Sequence, residues 1–214
     1  MQTPPLDSDA VLWSADPEAR PLIVLLHGYG SDERDLFALR ERMPDPYAIA
    51  SVRAPLAPPF PLDGYSWYPI EGLQSRDPEL VTAAAARLIE WLDDAAASAP
   101  AVTLVGFSQG GAVALQAMRL APERFDAVVN LSGYAAGGDL PGDAALAERR
   151  PPVFWGRGSA DAVIPEAAIA HTTDWLPGHS ELVGRIYPGL AHAVSAAELD
   201  DLAVFLHGRL TPRA

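Results

Sequence analysis

The sequence predicts an α/β fold, in which a mostly parallel central sheet carries helices on both faces. Short apolar runs alternate along the chain with longer segments of helical periodicity. The first clear run, Leu22–Leu26, is uninterrupted and rich in branched side chains, as is typical of a strand buried on both faces of a parallel sheet. Because the alternation is unbroken and the chain has 214 residues, we expect a single domain over residues 1–214.

The individual elements follow from the same pattern. Strands are predicted over residues 22–26, 47–52, 101–105, 127–131, 153–155 and 182–187, and helices over residues 31–43, 79–97, 109–120, 165–175 and 195–206. In the last helix, Ser195 is expected to be the N-cap, with Glu198 three residues further on. Residues 1–20 form either an N-terminal extension or a first strand.

Two long segments are predicted to lack regular structure. Residues 54–78 contain six prolines and an aromatic cluster at Gly64–Tyr68. Residues 133–150 are rich in glycine and alanine and leave room for one helical turn. Long loops in compact domains are usually functional or disordered, and clustered aromatics favour function. We therefore expect both segments to be active-site loops.

The composition excludes several kinds of chemistry. The fifteen basic residues are all arginine, so the chain has no Schiff-base lysine and no phosphate-binding Walker lysine. It has no cysteine, which excludes disulfides, a thiolate nucleophile and cysteine-ligated metals. A formal net charge of −13 argues against nucleic-acid binding. No H-E-x-x-H or comparable ligand cluster occurs, so we expect no metal.

The sequence also predicts the cellular location of the protein. No apolar stretch is long enough for a membrane span, and the acidic segment Met1–Arg20 lacks the basic start and apolar run of a secretory signal. We therefore expect a soluble cytoplasmic protein.

The clearest chemical motif is Gly106-Phe107-Ser108-Gln109-Gly110, which has the form G-x-S-x-G. It stands between a predicted strand and a predicted helix, which is the context of a nucleophile elbow. In that turn the serine hydroxyl points into a cleft, and the flanking glycines let the strand and the helix approach each other. A glycine-rich turn that merely closes a strand–helix unit is the alternative, but the context favours Ser108 as a nucleophile.

Serine needs a base to take its proton, and the chain has five histidines. His192 lies on a loop beyond a strand end and just before the last helix, which is where a base is expected. His171 is predicted to be a solvated helix residue, His179 to lie in a polar turn and His207 to end the last helix. His27 follows the first clear strand, and we expect it to hold its loop by hydrogen bonds.

The base in turn needs an acid that fixes its tautomer, and Asp161 is the candidate. It is the one acid in the loop after residues 153–155. Asp139 and Asp143 lie one loop earlier and are weaker candidates, and a helix N-cap ahead of Pro165 is the alternative role for Asp161. The order Ser108, Asp161, His192 along the chain is that of the α/β-hydrolase fold.

An oxyanion hole is the remaining requirement. His27-Gly28-Tyr29-Gly30 follows the first clear strand, where this fold supplies one backbone N–H, and the residue after the nucleophile supplies the other. We expect the donors to be the amides of Tyr29 and Gln109. Trp67 and Tyr68 are expected to line an acyl pocket, although ordinary packing would also explain aromatic residues there.

Several motifs together resemble the phospholipase/carboxylesterase family, which includes the acyl-protein thioesterases. The similar segments, between about residues 22 and 207, are 26–33, 66–68, 106–111, 154–165 and 189–192. This chain has Trp67-Tyr68-Pro69 where many members have Trp-Phe-Asp, and Tyr29 where many have leucine or another residue. These departures affect the shape of the acyl pocket and leave the backbone donors unchanged.

The resemblance implies a small α/β hydrolase without a large cap domain and without a cofactor. Such an enzyme cleaves small esters or thioesters of short to medium acyl chains through a serine acyl-enzyme. Ser108, Asp161 and His192 would form its triad, and family members often form homodimers. Another serine hydrolase on this fold, for a lactone or a peptide, is an alternative, as is a binding protein on a hydrolase scaffold.

Overall fold

The computed structural model describes residues 3–70 and 76–208, which build a seven-stranded sheet. The strands lie side by side in the order β1-β3-β2-β4-β5-β6-β7. Their bounds are β1 Leu12–Trp13, β2 Leu22–Leu26, β3 Ala48–Val52, β4 Val102–Phe107, β5 Ala127–Leu131, β6 Pro152–Gly158 and β7 Glu181–Tyr187. β1 pairs antiparallel with β3, and every other pairing is parallel. The expected α/β-hydrolase fold is confirmed.

Six α-helices accompany the strands in the described part of the chain. They are α1 Glu33–Phe37, α2 Pro78–Ala95, α3 Gln109–Leu120, α4 Gly142–Arg149, α5 Glu166–His179 and α6 Ala196–His207. Short 3-10 helices span Ser8–Ala10 and Ala38–Arg42.

The helices bury two separate apolar cores, one on each face of the sheet. Neighbouring residues of β2 divide between them, since Val24 packs into one core and Leu25 into the other. The first core also holds α2 and α3, whereas the second holds α1 and α6. Because both faces of β2 are covered, its side chains are apolar without interruption, as the sequence analysis assumed.

The parallel register aligns the strand ends that carry the chemical motifs. Leu26 at the end of β2 is level with Gly106 of β4, and Phe107 of β4 is level with Leu131 of β5. The segments that leave these strands therefore begin at one edge of the sheet. This is the edge where open α/β sheets bind ligands.

Three predicted elements differ from the structure. The helix expected over residues 31–43 is a short α1 that begins after its N-cap Asp32, which accepts from the Arg34 amide, and that continues as a 3-10 helix. Residues 133–150 contain α4, which is eight residues long instead of one turn. α5 extends to His179, whose Nδ1 lies 2.7 Å from the Trp175 carbonyl oxygen, so His179 is not in a turn.

The aromatic loop has no regular strand or helix over residues 54–70 and 76–77. Its two isolated bridges join Ser31 to Tyr65 and Leu56 to Ser66. Part of the predicted active-site loop, residues 71–75, lies outside the described residues.

A partly buried ion pair joins α1 to the end of β3 beside this loop. The Glu33 carboxylate at the start of α1 accepts from Arg53 Nε at 2.7 Å and Nη2 at 2.6 Å. Hydrogen bonds from Arg53 lower the pKa of Glu33 to about 2, although burial opposes the shift. The Arg53 guanidinium also lies 4.6 Å from the centre of the Tyr65 ring, so one cation joins α1, the end of β3 and the aromatic loop.

We expect Glu33→Gln to lower the free energy of unfolding at pH 7 by about 2 kcal/mol, because Arg53 loses its anionic partner. The depressed pKa of Glu33 stabilises the folded state above its ordinary value of 4.5 and loses this effect as the pH falls towards about 2. The difference between the variant and the parent should therefore shrink over that interval in urea unfolding curves.

The exposed pair Arg42–Asp200 provides a matched control for this measurement. Asp200→Asn should change the free energy of unfolding by less than about 0.5 kcal/mol at any pH. A Glu33→Gln effect as small as this, or one that does not vary with pH, would show that the Glu33–Arg53 pair does not stabilise the folded state as we expect.

Candidate active site

Ser108 occupies a sharp turn between β4 and α3. Its φ angle is 54°, an unfavourable value for a residue other than glycine. The turn is possible because α3 lies almost in contact with the sheet. A Cβ atom built on Gly106 would lie 2.3 Å from the Gly110 oxygen, and one on Gly110 would lie 2.1 Å from the Leu26 oxygen. Both positions therefore require glycine.

The structure brings Ser108, His192 and Asp161 together. Ser108 Oγ lies 2.8 Å from His192 Nε2, and His192 Nδ1 lies 2.7 Å from Asp161 Oδ2. Only 16% of the His192 side chain and 2% of the Asp161 side chain are exposed, so water competes little for this hydrogen-bond chain.

Asp161 is held by its own loop as well as by His192. Its Oδ1 accepts hydrogen bonds from the amides of Val163, at 2.9 Å, and Ile164, at 3.2 Å. It does not cap α5, whose N-cap is Pro165. Asp143, the weaker candidate, is engaged elsewhere because it pairs with the buried Arg119.

The His192 loop rests directly on β6. A Cβ on Gly158 would lie 2.0 Å from the Leu190 oxygen, and the Ala160 amide donates to that same oxygen at 2.9 Å. The imidazole of His192 packs at 5.0 Å from the Phe107 ring. Contacts with two strands thus orient the imidazole towards Ser108.

The residues expected to supply an oxyanion hole flank the same point. The Tyr29 amide lies in a loop and has no hydrogen-bond partner among the described residues. The Gln109 amide belongs to the first residue of α3, where the helix itself supplies no acceptor. Both residues line a cavity together with Ser108 and His192. The N-terminus of α3 also favours negative charge there.

His27 supports this loop from inside the protein. The ring is fully buried, and its Nε2 accepts from the Ala54 amide at 3.0 Å while Nδ1 lies 2.7 Å from the Gly28 oxygen. Burial lowers the pKa of His27 and so favours the neutral imidazole that accepts this hydrogen bond. His27 is thus a structural residue of the loop.

The cavity beside Ser108 has a volume of about 600 Å³. Tyr68 lines it as expected, but Trp67 does not: Trp67 is fully buried, and its indole N–H donates to the His27 oxygen at 2.9 Å. The assignment of Trp67 to the acyl pocket was therefore wrong, because this side chain points into the core below the loop. Other lining residues include Tyr29, Ile70, Phe107, Tyr134, Val163 and Ile164.

Two features of this wall were missed by the sequence analysis. The Gln109 side chain accepts from the Trp67 amide at 2.8 Å and donates to the Tyr68 oxygen at 2.6 Å, which ties the aromatic loop to α3. The Tyr68 and Tyr134 hydroxyls lie 2.7 Å apart, and burial raises the pKa of both. The second tyrosine lies in the segment predicted as a loop, and no local motif marks it.

The other histidines lie away from Ser108. His179 stacks on Trp175 with ring centres 4.1 Å apart. His207 Nδ1 lies 2.7 Å from the Ala203 oxygen at the end of α6. His171, expected to be solvated, is half-buried, and its Nε2 is enclosed without a partner in the described part of the protein.

Residues 3–70 and 76–208 contain no group of three or more histidine, aspartate or glutamate side chains arranged to hold a metal ion. None of their helices combines the length and the apolar character that a membrane crossing requires.

Comparison with known proteins agrees with this geometry. Residues 7–209 match the family model described as Phospholipase/Carboxylesterase. Acyl-protein thioesterase 1 of Kluyveromyces lactis is 27% identical over 94% of this chain and 97% of that protein. A probable carboxylesterase of Oryza sativa subsp. japonica is 31% identical over 76% of this chain and 77% of that protein. The match to acyl-protein thioesterase 1 of Saccharomyces cerevisiae spans only 50% of that protein.

Among solved structures, esterase PE8 superimposes with a TM-score of 0.75 at 30% identity, over 94% of this chain and 97% of that one. The resemblance inferred from the motifs is confirmed, and with it the assignment to an enzyme class. The chain belongs to the phospholipase/carboxylesterase family, and it is a serine hydrolase of the α/β-hydrolase class.

Proposed function

We propose that this protein is a carboxylesterase that hydrolyses esters and thioesters of short to medium acyl chains through a serine acyl-enzyme. The observation that carries the proposal is the hydrogen-bond chain from Ser108 through His192 to Asp161. Ser108, at one end of this hydrogen-bond chain, lines a cavity whose volume is typical of small-molecule sites. The proposed substrate is a small ester, and the reaction needs no cofactor.

In the first half of the reaction, Ser108 Oγ attacks the substrate carbonyl while His192 Nε2 accepts its proton. The Asp161 carboxylate accepts from the Nδ1–H of His192 and stabilises the imidazolium. The amides of Tyr29 and Gln109 donate to the carbonyl oxygen as it becomes an oxyanion. His192 then gives its proton to the departing alcohol or thiol, and the acyl group remains on Ser108.

In the second half, water takes the place of the leaving group. His192 Nε2 accepts a proton from the water, whose oxygen attacks the acyl carbon. The same two amides hold the second oxyanion, and the proton returns to Ser108 Oγ as the carboxylic acid leaves. Rigid amides suit this task because they need no reorganisation when charge develops.

The cavity wall supports an apolar acyl group. Ile70, Ile164 and Phe107 line it, and the Tyr68 and Tyr134 hydroxyls are joined by one hydrogen bond. An alkyl chain beside these two hydroxyls therefore costs less than it would beside two unpaired ones. Asp35 and Arg76 also line the cavity, so its wall carries one acidic and one basic side chain.

We expect Ser108→Ala to lower kcat/KM for p-nitrophenyl butyrate by about 10⁴-fold or more, because the attacking oxygen is lost. Labelling of the protein by a fluorophosphonate probe should disappear in the same variant. Ser98→Ala, which removes an exposed hydroxyl, should leave both unchanged. A folded parent protein that neither reacts with the probe nor hydrolyses esters would indicate a binding protein on this scaffold.

The acyl pocket is tested by Ile70→Trp, which fills part of the cavity. Across p-nitrophenyl esters of increasing acyl length, the optimum of kcat/KM should move to shorter chains, with a loss of about 10-fold on the longest substrate. Hydrolysis of the acetate should change little, since its methyl group does not reach the wall. Val204→Trp, at a position 74% exposed on α6, is the control. An unchanged length profile would place the acyl chain elsewhere.

A further inference from the structure

The face of β6 towards α6 is built for close approach. A Cβ on Gly156 would lie 2.2 Å from Glu198 Oε1, just as one on Gly158 would meet the backbone of the His192 loop. Gly156 and Gly158 are two residues apart, so they share one face of the strand. The first turn of α6 and the loop that carries His192 therefore pack side by side against β6.

Glu198 is an unusual residue for this position. Its side chain is fully buried, and neither carboxyl oxygen has a hydrogen-bond partner in the described part of the protein. Ser195 caps α6 by accepting from the Glu198 amide at 3.1 Å. In the usual capping box the glutamate would return a hydrogen bond to the N-cap amide; here the Ser195 amide lies near enough to lower the pKa of Glu198 but does not meet hydrogen-bond geometry. The carboxyl group instead fills the space that Gly156 leaves.

The surroundings of Glu198 favour its neutral form. Burial raises its pKa to about 7, and the charge of Asp201 adds to this, whereas the nearby Ser195 amide opposes it. From β7, Tyr187 donates to Asp201 at 2.8 Å, and Arg185 Nε lies 3.7 Å from the same carboxylate. On β6, Gly156 and the Phe154 ring lie at this point. Arg185 is thus paired with Asp201, and no ion pair to Glu198 occurs among the described residues.

We propose that Glu198 is a positioning residue for His192: its buried carboxyl group fills the space above Gly156 and holds the His192 loop and the start of α6 in their relative positions. When Glu198 loses its proton to solvent, the buried anion has only the nearby Ser195 amide to stabilise it and is expected to move towards water. The start of α6 then shifts, and with it the loop that aims His192 at Ser108. The inference rests on the proposed esterase function.

The test is the pH dependence of p-nitrophenyl butyrate hydrolysis by the parent protein, Glu198→Gln and the control Asp200→Asn. Glutamine is neutral at every pH and has nearly the shape of the protonated glutamate. The parent and Asp200→Asn should lose about 5-fold or more in kcat in one ionisation step above neutral pH, with KM nearly constant. Glu198→Gln should keep its kcat over that range. An alkaline loss that is absent from the parent, or that persists in Glu198→Gln, overturns the proposal.

Thermal unfolding gives a second readout. An acid whose pKa is raised by folding makes the folded state less stable as the pH rises from the unfolded towards the folded pKa. Glu198→Gln should therefore melt at a higher temperature than the parent at pH 8, and the gap should close towards pH 5. Equal melting temperatures at both values would show that Glu198 is not held neutral and would contradict the proposal.

If Glu198→Gln does not fold, a pair of substitutions tests the contact between Gly156 and Glu198 directly. Gly156→Ala should lower kcat at every pH, since its methyl group meets the carboxyl group. Adding Glu198→Ala should restore part of the loss by making room, whereas additive losses would contradict the direct contact.

The rate of fluorophosphonate labelling distinguishes a failure of the proposed esterase function from a failure of the proposed role of Glu198. A parent that is not labelled at any pH contradicts the esterase function, and one labelled equally fast at neutral and alkaline pH contradicts the role of Glu198 alone.

Discussion

The close packing of α3 against the centre of the sheet is the constraint on which the site depends. At Gly106 and Gly110, backbone lies where side chains would normally stand. Only this contact allows Ser108 to turn its hydroxyl away from the sheet at a φ of 54°. The strain of about 1 kcal/mol or more that such a conformation costs is offset by the apolar packing of α3, which is buried along nearly its whole length.

A second set of contacts shapes the cavity beside this turn. The Gln109 side chain, the Tyr68–Tyr134 pair and the Glu33–Arg53 ion pair each join segments far apart in the chain. All three use buried or partly buried polar groups that are costly to leave unpaired, so they favour one arrangement of the aromatic loop instead of merely adding to its stability. The shape of the cavity is therefore determined by polar pairing behind its wall.

Much of the framework was predictable because it depends on local patterns. Uninterrupted apolar runs located the inner strands, and the G-x-S-x-G motif located the turn at Ser108. Asp161 and His192 could be chosen because parallel strands bring their following loops to one edge. The N-cap at Ser195 was also visible in the sequence.

The remaining features depend on contacts that no local pattern encodes. α4 is held by Arg119, which is fully buried and reaches Asp143 and two carbonyl oxygens of the preceding loop. The orientation of Trp67 depends on an acceptor in the His27 loop, forty residues away in the sequence. The burial of Glu198 depends on the absence of a side chain at Gly156. Each of these requires knowledge of which segments meet in space.

The loop around Asp161 also determines what an isosteric amide would do there. Two backbone N–H groups, from Val163 and Ile164, face Oδ1. An asparagine would have to present its oxygen to them, which turns its NH₂ group towards His192 Nδ1. The imidazole would then accept at Nδ1 and carry its hydrogen on Nε2, the atom that faces Ser108. In such a variant, the Val163 and Ile164 amides would thus select the tautomer of His192 through the side chain at position 161.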